Sequence, residues 1–222
     1  MNPPNLISSI RAARCLLIAG VLSFLFVSTA GGAILSTFDS DDEGWRAVGD
    51  SASSDPDWLS SGGNPGGYVE VEDSVVGGVW YWSAPSKFLG DRSSFLGNTL
   101  SFDLQQSSTN NQFSAVDVYL KNNTDVVALK INDHPGTDWT SYAVTLHPSA
   151  GWQQDDGNGA PATLSDFQTV LGNLTALEIR GEYVTGSDTG GLDNVMLVPE
   201  PGTSAALAGV LGLGLALARR RR

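Results

Sequence analysis

The chain is 222 residues long, with 12 Lys and Arg against 24 Asp and Glu, a formal net charge of −12 and one cysteine. So acidic a chain lacks the Lys and Arg surplus that neutralises phosphate, which excludes nucleic acid and anionic lipid surfaces as partners. The charge suits cations or simple solubility, and a lone cysteine excludes an internal disulfide framework.

At the N-terminus, Arg11 and Arg14 precede "CLLIAGVLSFLFVSTAGGA", an apolar core followed by small residues, in which Ala30 and Ala33 both fit a cleavage position. The pattern predicts a secretory signal over residues 1–33; the alternative is an uncleaved N-terminal anchor. Cys15 lacks the small apolar lead-in of a lipoprotein signal and would leave with the leader. Residues 34–198 then make one stretch of ordinary single-domain length, holding 6 basic and 23 acidic residues, about −17. With no cysteine in it, that domain must be stabilised by burial, with a metal as the one available aid.

Within 34–198 the apolar residues recur with period two. "TLSFDL" puts Leu100, Phe102 and Leu104 on one face, "AVDVYLK" puts Val116, Val118 and Leu120, "VVALKI" Val127, Leu129 and Ile131, and "YAVTLH" Tyr142, Val144 and Leu146. Alternation of this kind predicts strands with one wet face, and "KNNTD" and "NDHPGTD" read as the turns between them. The exception is "TLSDFQTVLGN", where Ser165 and Gln168 have capping-box spacing and Phe167, Val170 and Leu171 make one stripe. The spacing predicts an all-β domain with one short helix over 165–172.

Chemistry-bearing patterns are few. His134 lies in a Pro/Gly loop and His147 at a strand end, and neither belongs to a metalloprotease or nucleophile-elbow pattern. Acidic residues stand out in two places: "FDSDDEGW" holds Asp39, Asp41, Asp42 and Glu43, and "GLDNVML" holds Asp193 among apolar neighbours. If the first and last strands lie side by side, Asp39, Asp41 and Asp193 form a candidate calcium site of carboxylate and carbonyl oxygens. The competing reading is a solvated acidic turn plus an aspartate that accepts from loop amides. Trp80 and Trp82 alternate in "VWYW", whereas Trp58, Trp139 and Trp152 occur in loop-like surroundings. Exposed indoles stack on sugar rings, and Trp58, in the polar stretch "SSDPDWLSSGGN", is the candidate ligand-binding residue.

The chain closes with "VPEPGTSAALAGVLGLGLALARRRR". As a helix, Ser204 to Ala218 would rise about 22 Å, short of the roughly 30 Å hydrocarbon core, with the four arginines holding the end on the cytoplasmic side. The motif Pro199, Glu200, Pro201, the Gly/Ala/Leu-rich helix and the basic end resemble, in that order, the PEP-CTERM sorting signal of Gram-negative, exopolysaccharide-producing bacteria. The resemblance covers the last twenty-five residues or so. It implies recognition by an exosortase, passage through an inner-membrane-anchored stage, cleavage near the motif and delivery to the cell surface or extracellular matrix. An ordinary C-terminal anchor is the other reading.

A second resemblance runs through the domain itself. "FDSDDEGW", "GGNPGGYVEVED", "VWYWSAPSKFLGDRSSFLGNTLSFDL", "DWTSYAVTLHPSAGW" and "LTALEIRGEYVTGSDTGGLDNVML" resemble, in the same order, the laminin B domain, or laminin domain IV, over nearly all of 36–197. The resemblance implies a jelly-roll β-sandwich similar to carbohydrate-binding modules, found in matrix and surface proteins and not known as a catalytic unit. It also implies that Trp45, Trp82, Pro85, Phe88, Leu89 and Trp139 are scaffold. Laminins embed this domain in disulfide-rich repeats, which this chain lacks. The expectation is a signal (1–33), a laminin-B-like domain (34–198) and a sorting tail (199–222), acting as an exported, polysaccharide-binding or purely structural module. An extracellular glycan-active hydrolase or lyase is the alternative in another class.

Overall fold

A computed structural model of the chain describes residues 32–198 apart from Ala52 and Val76. The expected leader up to residue 31, the motif Pro199, Glu200, Pro201 and the apolar C-terminal run lie outside the described residues. Among the described residues, no helix is long and apolar enough to cross a membrane.

The period-two segments form two antiparallel sheets. The first holds β1 (Ile34–Ser36), β3 (Asp57–Gly63), β4 (Gly66–Asp73), β6 (Thr99–Gln106), β9 (Thr140–Thr145) and β12 (Asp188–Val198), ordered β3-β4-β12-β6-β9, with β1 on the β12 edge that β4 leaves free. The second holds β2 (Arg46–Gly49), β5 (Trp80–Ser83), β7 (Val118–Asn122), β8 (Asp125–Leu129), β10 (Gln153–Gln154) and β11 (Ala176–Arg180), ordered β10-β8-β7-β11-β5-β2. The chain passes repeatedly between the sheets, giving a jelly-roll β-sandwich. The first and last strands pair, Ile34 opposite Leu197.

Register explains the core. Leu192 on β12 stands opposite Val69 on β4 and Leu104 on β6, so Val69, Val71, Leu100, Phe102, Leu104 and Leu192 share the inward face of the first sheet. They meet Val118, Leu120, Val127, Leu177, Ile179, Trp80 and Trp82 from the second. Burying each large apolar side chain contributes roughly 1.5–3 kcal/mol, which is why a domain without cysteine can hold together. Trp80 and Trp82 pack edge to face at 4.9 Å, and Trp45 donates its indole N–H to Ser36 Oγ at 2.9 Å.

Several local expectations need correction. The helix α1 spans Leu164–Gly172, and its capping box joins Thr163 to Asp166, not Ser165 to Gln168. Thr163 has extended backbone dihedrals, its hydroxyl accepts from the Asp166 N–H at 3.3 Å, and Asp166 Oδ2 accepts from the Thr163 N–H at 2.7 Å, so the helix starts one residue early. The stripe Phe167, Val170 and Leu171 is buried as expected. Trp152 is fully buried, its indole donating to the Thr145 carbonyl and its ring edge-on to Phe167. Trp58 belongs to a strand, not a loop. His134 is half-buried against Tyr183, and His147 Nδ1 accepts from the Ser149 N–H at a 3-10 turn.

Candidate functional site

The outward face of the first sheet is built by the residues that alternate with its core. On β4 these are Tyr68, Glu70 and Glu72; on β12, Thr189, Gly191 and Asp193; on β6, Asp103 and Gln105. At one end they floor an open cleft of about 350 Å3, lined by Tyr68, Glu70, Gln105, Thr137, Thr189 and Gly191 among others.

Tyr68 lines that cleft, and Trp139 packs beside it against Tyr68 and over Gly191. Tyr68 and Trp139 meet edge to face, 5.3 Å between centroids at 82°, and the Trp139 indole donates to the Gly62 carbonyl at 2.8 Å. Gly191 makes the arrangement possible: a Cβ there would lie 3.1 Å from Trp139 Cη2 and 3.5 Å from Tyr68 Cδ2. The Tyr68 hydroxyl donates to Glu70 Oε2 at 2.9 Å; partial burial, reinforced by that carboxylate, pushes its pKa up to about 12. Gln105 Nε2 donates to the Thr137 carbonyl at 2.7 Å, tying the loop before β9 to the sheet. The cleft thus presents the Tyr68 ring, with Trp139 beside it, a carboxylate and amide and hydroxyl groups, the mixture that suits a polyhydroxylated ligand.

Trp58, the residue singled out from sequence, stands opposite Val69 and so on the other side of the sheet from Tyr68. It is 37% exposed, and its indole donates to the Phe38 carbonyl at 2.7 Å. Trp139, expected as scaffold from the family resemblance, is half-buried at the cleft. The Tyr68–Trp139 pair escaped notice, although "YVEVED" alternates Tyr68, Glu70 and Glu72 against Val69 and Val71 and so marks an aromatic residue on a polar face.

The acidic residues are only partly gathered. Asp193 is 0% exposed and directly opposite Asp103; its Oδ2 accepts from the Asn64 N–H at 2.6 Å and its Oδ1 from the Asn194 N–H at 2.7 Å. Burial, partly offset by those amides and reinforced by the charges of Asp103 and Asp39, pushes its pKa up to about 6. Asp103 Oδ2 accepts from the side-chain amides of Asn64 and Asn194. Asp39 accepts from the Thr37 hydroxyl, whereas Asp41 turns back to cap the Glu43 N–H of its own loop. Among the described residues, no three Asp, Glu, His or Cys side chains stand as a formed metal site.

Two packed antiparallel sheets with a polar, aromatic-bearing outer cleft define the class of jelly-roll β-sandwich modules. The family described as Laminin B (Domain IV) matches residues 81–205, and the chain belongs to it. Laminin subunit gamma-1 of Danio rerio is 33% identical over 185 residues, and that of Homo sapiens 32% over 182, each match covering 78% of this chain. The chain spans only about a tenth of those relatives, 11% of each. Among solved structures, the L4b domain of human laminin alpha-2 has a TM-score of 0.57 at 12% identity, covering 75% of this chain and 98% of that one. A family 11 carbohydrate-binding module from Clostridium thermocellum, solved in complex with a beta-1,3-1,4-mixed-linked tetrasaccharide, has a TM-score of 0.52 at 16% identity, covering 77% of this chain and 97% of the module. These two likenesses establish the fold.

Proposed function

We propose that this chain is an exported module of a bacterial cell surface or extracellular matrix that holds a polysaccharide in the cleft beside Tyr68 and Trp139 without cutting it. The carrying observation is the aromatic pair standing over Gly191, flanked by Glu70 and Gln105. Membership of the Laminin B (Domain IV) family and the laminin relatives support an extracellular setting, and the fold shared with a tetrasaccharide-binding module supports the ligand class. Delivery runs through the N-terminal signal and an exosortase acting near Pro199, Glu200 and Pro201, with the C-terminal apolar run holding the chain in the inner membrane until then. Asp39, Asp41 and Asp193 remain a proposed structural calcium site.

A hydrolase or lyase reading draws on the opposed carboxylates Asp103 and Asp193, one of them with a raised pKa. Both Asp193 oxygens accept backbone amides and the residue is fully buried, so it has no path to a glycosidic oxygen. Affinity is modest, because sugar hydroxyls exchange water for protein partners at little net gain and a stacked ring adds only about 1 kcal/mol. Electrophoresis of the purified chain in gels containing the producing strain's polysaccharide, with a reducing-end assay on the same samples, tests the proposal. Retardation without new reducing ends supports it; steady release of reducing ends revives the enzyme, and no retardation leaves a structural role.

A further inference from the structure

Seven buried side-chain nitrogen and oxygen atoms among the described residues have no hydrogen-bond partner, and five of them are acceptors: Asp73 Oδ2, both Asp188 oxygens, Glu182 Oε2 and Gln106 Oε1. Register gathers these acceptors at one end of the sandwich. Asp188 stands opposite Asp73, and Gly190, two residues on, stands opposite Gln106. Asp73, Asp188 and Gln106 point inward, because the same alternation brings Leu192 opposite Val69 and Leu104 in the core. Gln106 Nε2 donates to the Gly181 carbonyl at 2.9 Å, which fixes the chain entering Glu182 beside the β6 end.

Among the described residues, no Lys, Arg or His forms an ion pair with this set. Asp73, Glu182 and Asp188 are 1%, 3% and 5% exposed. The nearest buried cation, Arg180, is committed to the Asp117 carboxylate at 3.5 Å and to the carbonyls of Glu182 and Phe113 at 2.5 and 2.7 Å. Asp73 accepts from the Val75 N–H at 2.9 Å and Glu182 feels the Trp80 amide, whereas both Asp188 oxygens have no partner. Buried carboxylates left without partners are strongly disfavoured unless a cation or a proton joins them. A surplus of carboxylate and amide oxygens is the ligand set of a hard divalent cation.

We propose that Asp73, Glu182 and Asp188, with the Gln106 side-chain oxygen, bind a hard divalent cation of the calcium class at the end of the sandwich core. The site is separate from Asp193, which lies five residues along β12 on the outward face. The side chains are not already drawn into one coordination shell, so the proposal stands on the unpartnered oxygens and on strand register. Burial and the charge of Asp73 push Asp188 up to about 6. Burial, Asp73 and Asp188 push Glu182 up to about 7 against the pull of the Trp80 amide and Arg180. That is the response of carboxylates crowded without a cation.

Terbium luminescence on the full chain tests this, because Trp80 packs against Gly181, next to Glu182, and serves as an antenna. A calcium-displaceable component of terbium emission excited through tryptophan is expected that is lost in Asp188→Asn and kept in Asp193→Asn; any emission from the Asp39, Asp41 and Asp193 loops would show the opposite dependence. Asp188→Asn removes one of three like charges, so its calcium-free Tm should equal or exceed the parent's; should it unfold, Glu182→Gln gives the same reading. Absence of displaceable emission overturns the proposal, as does emission lost in Asp193→Asn but kept in Asp188→Asn. A Tm that responds to pH and not to calcium also overturns it, since protons would then satisfy the cluster.

Discussion

The Trp139 indole is pinned to the Gly62 carbonyl at 2.8 Å while its ring meets the edge of Tyr68 at 5.3 Å, so a loop residue and a strand residue are fixed as one unit over the sheet. Trp139→Ala and Tyr68→Ala should each weaken retardation by polysaccharide by about 1 kcal/mol, roughly fivefold in affinity. Gly191→Ala should weaken it too, because the added methyl reaches the Trp139 ring. Trp58→Phe should leave retardation unchanged. Affinity electrophoresis of the four variants decides it; loss confined to Trp58→Phe would move the site to the other face.

The Arg180–Asp117 pair is buried, and its guanidinium stacks 4.5 Å from the Phe113 ring and 4.2 Å from the Tyr183 ring. Asp117 Oδ2 also accepts from the Ile131 N–H at 2.6 Å. Removing one partner strands the other in the interior, so Asp117→Ala should cost about 3–5 kcal/mol. Thermal or denaturant unfolding measures it; a cost below about 1 kcal/mol would show the pair to be solvated.

Stability should fall as pH rises from about 5 to 8 in the presence of chelator. Glu182, Asp188 and Asp193 are raised to about 7, 6 and 6, so between the unfolded carboxylate range near pH 4 and those values the folded state binds protons that the unfolded chain has released. Their stabilising protons are present below about pH 4 and lost by about pH 8. Carboxylates held low act oppositely and lose their contribution under acid: Asp42 through the Gly44 amide, Asp166 through Gln154, and Glu43, which Lys87 and the Phe38 amide keep low against burial. Chelated protein should therefore be most stable near pH 5, and Asp188→Asn should flatten the alkaline limb. Tm measured across pH checks both.

Calcium held at the Asp39, Asp41 and Asp193 loops would raise Tm, by about 2.7 kcal/mol of stability at a hundredfold excess over Kd. An Asp193→Ala variant that keeps the full calcium response counts against that site.

Processing is read from mass. Material released from the cell surface should begin near Gly31 or Ile34 and end close to Glu200. A product retaining Arg219 to Arg222 would remove the exosortase from the account.

Sequence by itself determined the strands around residues 99–146 and their inward residues, because burial on one side of a pleated strand leaves a period-two record in neighbouring residues; the family came from the resemblance of the five segments to the laminin B domain. It also located Leu100, Phe102 and Leu104 in the core and the stripe of α1. It misplaced the helix cap by choosing Ser165 where Thr163 has the extended backbone a cap needs. Only tertiary structure decided which residues share a face. Strand order brings Tyr68, Gly191 and Gln105 together from positions far apart in the chain, and a loop adds Trp139. The same order sets Asp188 opposite Asp73 at the inward end while Asp193 faces outward. Cross-strand pairing is a relation between distant residues, and no local pattern encodes it.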